Sequence, residues 1–233
     1  MDLWFGDSWT IGAELGTNTD TFDKQTFPNA VLGRDNPLKA FPHHVSGWRN
    51  QSYINFARGA SSIDYALYQL ITFCTTSYKS SERYTAFLCA TGQNRGFGIS
   101  TSLNKEIIYC NNEHKTQYDL FIYDSIISLN CFYSVCVVHN ITCYIIPIFC
   151  DLILPPGLQN TILFKDSILT NSSLVEETFG VKFIEDAFTY IDDKYHDSST
   201  CAQYDWIRPN LIHPNVQGHK KLAYKLIELL ENH

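Results

Sequence analysis

The sequence has little charge and no concentration of positive charge. Only 18% of its 233 residues are charged, the net charge is -7, and Lys and Arg form no run. Binding a phosphate backbone takes concentrated Lys and Arg, so nucleic acid is excluded as the main partner. The N-terminus has no basic region, and Gly6 and Asp7 interrupt its apolar start, so no signal peptide is expected. The longest apolar stretch, Leu120 to Val138, contains Asp124, Ser125, Ser128 and Asn130 and lacks basic flanks. It is expected to be a buried helix and not a membrane span. These features predict a cytoplasmic protein. The high Asn, Tyr, Phe and Ile content points to an AT-rich genome, a viral one included. None of the eight cysteines forms a C-x-x-C pair, and most lie in apolar runs, so buried, reduced thiols are expected. No cluster of His, Cys or acidic residues has metal-ligand spacing, and no cofactor is expected. No repeat or low-complexity linker divides the chain. Its length and its 45% hydrophobic content predict one domain over residues 1–233.

What is present alternates between strand and helix signals. Leu3, Trp4 and Phe5 suit a short buried strand, as do Ser52–Phe56, Tyr84–Ala90 and Cys143–Phe149. A helix is expected from Ile63 to Ser77, where Ile63, Ala66, Leu67, Leu70, Ile71 and Cys74 form one stripe. Ser61 or Ser62 can cap it. A second helix spans about Gln117–Asn140, and a third, about Val216–Glu231, buries Leu222, Ala223, Leu226, Leu229 and Leu230. A short helix near Ile11–Gly16 and another near Ser173–Phe179 are expected, and Val181–Tyr190 suits a strand or a helix. Residues 11–50 are otherwise marked as loops by Pro28, Pro37, Pro42 and their polar neighbours, and residues 96–115 form an excursion. The alternation predicts an α/β protein with a parallel sheet and right-handed crossovers.

Three glycine turns follow three of these strands. They are Gly6-Asp7-Ser8, Arg58-Gly59-Ala60 and Gly92-Gln93-Asn94, and a parallel sheet gathers them at one edge. His213, just before the last helix, can reach the same edge. The set supplies a nucleophile in Ser8, a base in His213, and oxyanion donors in the Ser8 and Gly59 N–H groups and the Asn94 amide. Each residue also has a plainer role open to it. Asp7 can cap a helix, Gly59 and Gly92 can be ordinary turn glycines, and Asn94 can satisfy loop backbone. His213 can be surface decoration. His219, like His43, His44, His114 and His139, can be decoration or a satisfied buried group. Arg58 and Arg95 can hold a substrate carboxylate or simply face solvent.

In order and spacing, Gly6-Asp7-Ser8, Gly59, Gly92-x-Asn94 and His213-Pro214-Asn215 resemble the SGNH (GDSL-like) hydrolases across almost the whole chain. The resemblance implies a three-layer α/β/α flavodoxin-like fold with a central, mainly parallel sheet of about five strands. It implies a serine esterase acting on a short-acyl, acetyl-type ester, with a small-molecule or carbohydrate substrate. By the same resemblance Ser8 is the nucleophile, Ser8, Gly59 and Asn94 form the oxyanion hole, and His213 is the base. Two positions depart from the family pattern. Asn210 stands three residues before His213, where the family has an Asp to orient the imidazole, and Arg95 follows Asn94 where Asp is common. Asp205, or a backbone carbonyl near Asn210, remains to hold the histidine. The rival readings are an SGNH-fold module that has lost catalysis and binds carbohydrate or protein, and a flavodoxin-like phosphate binder. The second lacks a P-loop lysine and has one glycine in its first turn.

Overall fold

A computed structural model of the chain describes residues 1–13, 15, 23–31, 35–59, 61–91, 95–100, 105–110, 115–148, 152–154, 161–170, 172–180 and 213–233. Four parallel strands form the central sheet: β1 (Asp2–Phe5), β2 (Tyr53–Asn55), β3 (Thr85–Ala90) and, last in the chain, Thr142–Pro147. Between β3 and that last strand lie β4 (Arg95–Ser100) and β5 (Lys105–Cys110), which pair antiparallel as a separate two-stranded ribbon, so the last strand is β6. The sheet order is β2-β1-β3-β6.

Alternation along each strand explains the layers. Leu3, Phe5, Ala86, Leu88 and Ile145 face one core with Ile63, Leu70, Ile126 and Phe132. Trp4, Phe87, Cys89 and Ile146 face another with Phe41, Val45, Leu222 and Leu226. Successive strand side chains point to opposite faces, so a strand covered on both sides must be apolar throughout. The first core is covered by α3 (Ile63–Thr76) and α4 (Lys115–Val138). The second is covered by α2 (Phe41–Trp48), α5 (Leu174–Phe179) and α6 (Val216–Asn232). The remaining helix, α1 (Ser8–Ile11), is a single turn after β1. This is an α/β/α arrangement around a parallel sheet, as the sequence predicts.

The differences from the sequence reading have local causes. The sheet has four strands among the described residues, where about five were expected. Among the described residues its β6 edge is extended by a bridge from Ile145 to Ile168, and the Val181–Tyr190 segment lies outside the described residues. The short helix expected at Ile11–Gly16 instead covers Ser8–Ile11. Asp7 caps its start, and Gly12 ends it at φ 73°, in the left-handed region. The loop expected over residues 11–50 contains α2, because Pro42 stands in its first turn, where a missing N–H costs no helical bond. Arg95–Ser100 and Lys105–Cys110 form the antiparallel ribbon, with Arg95 opposite Cys110 and Ser100 opposite Lys105. In α4 the apolar residues run round the helix, leaving Tyr123, Ile127, Val137 and Val138 exposed. No helix among the described residues is long and apolar enough to cross a membrane.

Candidate active site at the carboxyl edge of the sheet

The strand order reverses at β1, with β2 on one side and β3 on the other. In open α/β sheets such a switch point opens a crevice at the carboxyl ends of the strands. The chain leaves β1 there through Gly6, whose φ is 157°. A Cβ at this position would strike Thr10 Oγ1 and come within 2.9 Å of both Thr10 Cβ and Cys89 Cβ. Glycine is therefore required for the turn to lie flat against β3. Asp7 is fully buried, and its carboxylate accepts the Trp9 N–H at 3.0 Å, capping α1. Ser8, half-buried, follows as the first helical residue.

The turn after β2 is stitched to this one. Arg58 N–H donates to Gly6 O at 3.0 Å, and the buried Asn55 side chain donates to Thr10 O at 2.8 Å while accepting from Ala57 N–H at 3.1 Å. Ser61 N–H closes the turn on Arg58 O, and Thr91, just past β3, donates its hydroxyl to Ser61 O at 3.1 Å. The exits of β1, β2 and β3 are thus held together by backbone and buried side-chain bonds. The Arg58 guanidinium lies 5.4 Å from the centre of the Tyr65 ring. Gly59 is exposed, and a Cβ there would meet nothing within 4 Å. Packing among the described residues does not demand glycine at 59, in contrast to Gly6.

His213 belongs to the same edge through α2 and α6. Phe41, which opens α2, packs edge-on against Trp4 at 5.9 Å, whereas Arg49, just past the end of α2, pairs with Asp2 at 3.2 Å and donates to Thr85 Oγ1 at 3.2 Å. The helix α2 therefore starts at the carboxyl edge and ends at the amino edge. The first turn of α6 touches the start of α2, where His219 Nδ1 accepts the Phe41 N–H at 3.3 Å. The far end of α6 reaches β6, with the His233 ring 5.7 Å from Tyr144. Both helices run antiparallel to the strands, and His213, three residues before α6, stands at the edge that carries Ser8 and Gly59. His213 is half-buried with Nδ1 shielded from solvent. Pro214 follows, and Asn215 caps α6 by accepting the Gly218 N–H at 2.9 Å.

Of the residues predicted from the sequence, Ser8, Gly59 and His213 therefore share one edge. Asn94, Asp205 and Asn210 lie outside the described residues. Two residues were missed. Asn55 ends an otherwise apolar strand as its one amide, and that is a readable sign. His219 stands on the buried stripe of α6, three and four residues before Leu222 and Ala223 and seven before Leu226. That spacing assigns it to the core face. On α2, burial holds the His43 and His44 imidazoles below their ordinary value, with the neighbouring His43 and Lys220 adding to the effect on His44. His43 Nδ1 shares a 3.0 Å hydrogen bond with the Tyr53 hydroxyl, whose ionisation burial pushes upward.

No family model matches the sequence, and no curated protein matches it. Solved structures do match the fold. TesA aligns with a TM-score of 0.52 and 11% identity, covering 99% of this chain and 98% of that one. A carbohydrate esterase, described as having divergent catalytic and non-catalytic binding functions in its active site, aligns with a TM-score of 0.53 and 13% identity, covering 100% of this chain and 68% of that one. The acetyl xylan esterase Est2A from the rumen bacterium Butyrivibrio proteoclasticus aligns with a TM-score of 0.51 and 11% identity, covering 99% of this chain and 63% of that one. The likeness is one of fold, and the chain shares the α/β/α arrangement of these structures.

Proposed function

We propose that the protein is a serine ester hydrolase of the SGNH type that removes a short acyl group, most simply acetyl, from a carbohydrate or small-molecule ester. The observation that carries this reading is the turn at Ser8. The serine opens a helix at the switch point of the sheet, and the turn bearing Gly59 is hydrogen-bonded onto its base through Arg58 N–H and Gly6 O. In the proposed reaction Ser8 Oγ attacks the acyl carbon while its proton passes to His213. The oxyanion is held by the Ser8 and Gly59 N–H groups and the Asn94 amide. The intermediate collapses to acyl-Ser8, and His213 returns the proton to the departing alcohol. Water, deprotonated by His213, then releases the acid and restores the serine. Asp205, or the chain near Asn210, holds the other ring nitrogen. The space free of described residues beside Gly59 supports this reading, since a ligand needs the backbone unobstructed there. The carbohydrate esterase and acetyl xylan esterase with this fold support the substrate class.

Hydrolysis of 4-nitrophenyl acetate by the purified chain tests the proposal. Its activated leaving group needs little help, so a site lacking the usual orienting Asp still turns it over. Wild type is expected to hydrolyse it and Ser8→Ala to fall to background. Equal rates from two folded proteins would overturn the enzyme and favour a binding module.

A further inference from the structure

We infer that His219 is a positioning residue for His213, an inference that rests on the esterase reading above. The helix α2 has no local cap, because Ala40 precedes it and offers no side-chain acceptor. An unpaired N–H at a buried helix start is costly. The acceptor comes instead from 178 residues away, as His219 Nδ1 takes the Phe41 N–H at 3.3 Å. An imidazole that accepts at Nδ1 is neutral and carries its proton on Nε2. The His219 ring is fully buried and lies nearly parallel to the Phe41 ring, with 6.0 Å between centres and 17° between planes. Phe41 in turn packs on Trp4 of β1, the strand that delivers Ser8.

The chain between the two histidines is stiff. Pro214 fixes one backbone angle. Asn215 ties the first turn with its side chain on Gly218 N–H and its carbonyl on His219 N–H at 3.0 Å. His213 is thus carried at the end of a short rigid arm whose other end is bolted to α2. Continuous contacts run from this arm through His219, Phe41 and Trp4 to the strand before Ser8. Loss of the His219 bond removes the polar tie between this arm and the start of α2 without removing any group placed against substrate. Misplacing a catalytic group by about 1 Å costs on the order of 10²-fold in rate.

The test compares His219→Asn with His219→Gln on 4-nitrophenyl acetate, using the Ser8-dependent rate. Asn places its amide oxygen where Nδ1 stands, whereas Gln places its own where Nε2 stands. His219→Asn is expected to keep kcat within a few-fold of wild type. His219→Gln is expected to lose about tenfold or more in kcat with KM little changed. Equal kcat in the two variants, at any level, overturns the inference, because a purely structural role moves melting temperature and not the kcat ratio. A wild type with no Ser8-dependent rate is a separate result and overturns the esterase reading.

Discussion

Two glycines at the candidate site separate architecture from chemistry. In Gly6→Ala the new methyl must enter the space filled by Thr10 and Cys89, with carbon contacts of 2.9 Å against an ordinary 3.4–4 Å. Thr10 is β-branched and helical, so it has little freedom to turn away. The backbone is also held at φ 157°, which L-residues rarely adopt. Strain at such an angle costs about 1–3 kcal/mol, and overpacking a tight site costs a similar amount. A central value of about 4 kcal/mol lowers Tm by roughly 12 °C, at about 3 °C per kcal/mol for a chain of this size. Gly59→Ala meets nothing within 4 Å and has no φ in the left-handed region. Lower entropy of the unfolded chain then stabilises it by about 0.4–1 kcal/mol. On the proposed mechanism its effect is expected on the reaction, where the added methyl crowds an oxyanion approaching the Gly59 N–H. Losing one such donor costs on the order of 10²–10³ in kcat. Thermal melts and the 4-nitrophenyl acetate rate are measured on both variants. A Gly6→Ala melt within about 3 °C of wild type would refute the steric reasoning, taking about 3 °C per kcal/mol. A Gly59→Ala enzyme with full kcat would remove Gly59 from the oxyanion hole.

Other predictions concern the amino edge, α2 and the orienting group. Asp2 is fully buried, with Arg49 at 3.2 Å and Ser46 donating at 3.0 Å, and desolvation still raises its carboxyl above 3.8. Arg49→Met leaves that charge uncompensated and is expected to cost about 3–5 kcal/mol in urea unfolding, most of it recovered in the Asp2→Asn/Arg49→Met double variant. The folded state binds the Asp2 proton more tightly than the unfolded chain, so this group's contribution weakens as pH rises from 3.8 through its raised value. His43 has the opposite sign. Its imidazole lies below 6.5 when folded, so the stability it confers is whole above 6.5 and declines as pH falls below that. His43→Gln should flatten the Tm profile on the acid side of pH 6.5, and a profile superimposable on wild type would remove His43 as the cause. Asp205→Ala should slow ester turnover more than Asn210→Ala, and the reverse ranking would give Asn210 the orienting role.

Much of the layered fold was legible because burial on both faces leaves a plain mark. The runs at Thr85–Ala90 and Thr142–Pro147 are apolar without alternation, and the stripes of α3 and α6 have helical spacing. Gly6 and Ser8 were legible for a similar reason, since a glycine straight after a buried strand marks a sharp exit. Local sequence also determined the caps, with Asp7, Ser62, Ser173 and Asn215 each accepting a nearby backbone N–H. The tertiary structure alone decided what depends on partners distant in sequence. Pro42 reads as a loop marker until α2 is seen to begin on it. Arg95–Ser100 reads as an excursion because its partner strand, Lys105–Cys110, supplies the pattern that makes it a ribbon. The spacing of His219 places it on the buried face of α6 but names no partner for its ring. Only the packing of α6 on α2 makes its ring the acceptor for the Phe41 N–H. Propensity and spacing act over one or two turns of chain, whereas that bond joins residues 178 apart and exists only once both helices lie on the sheet.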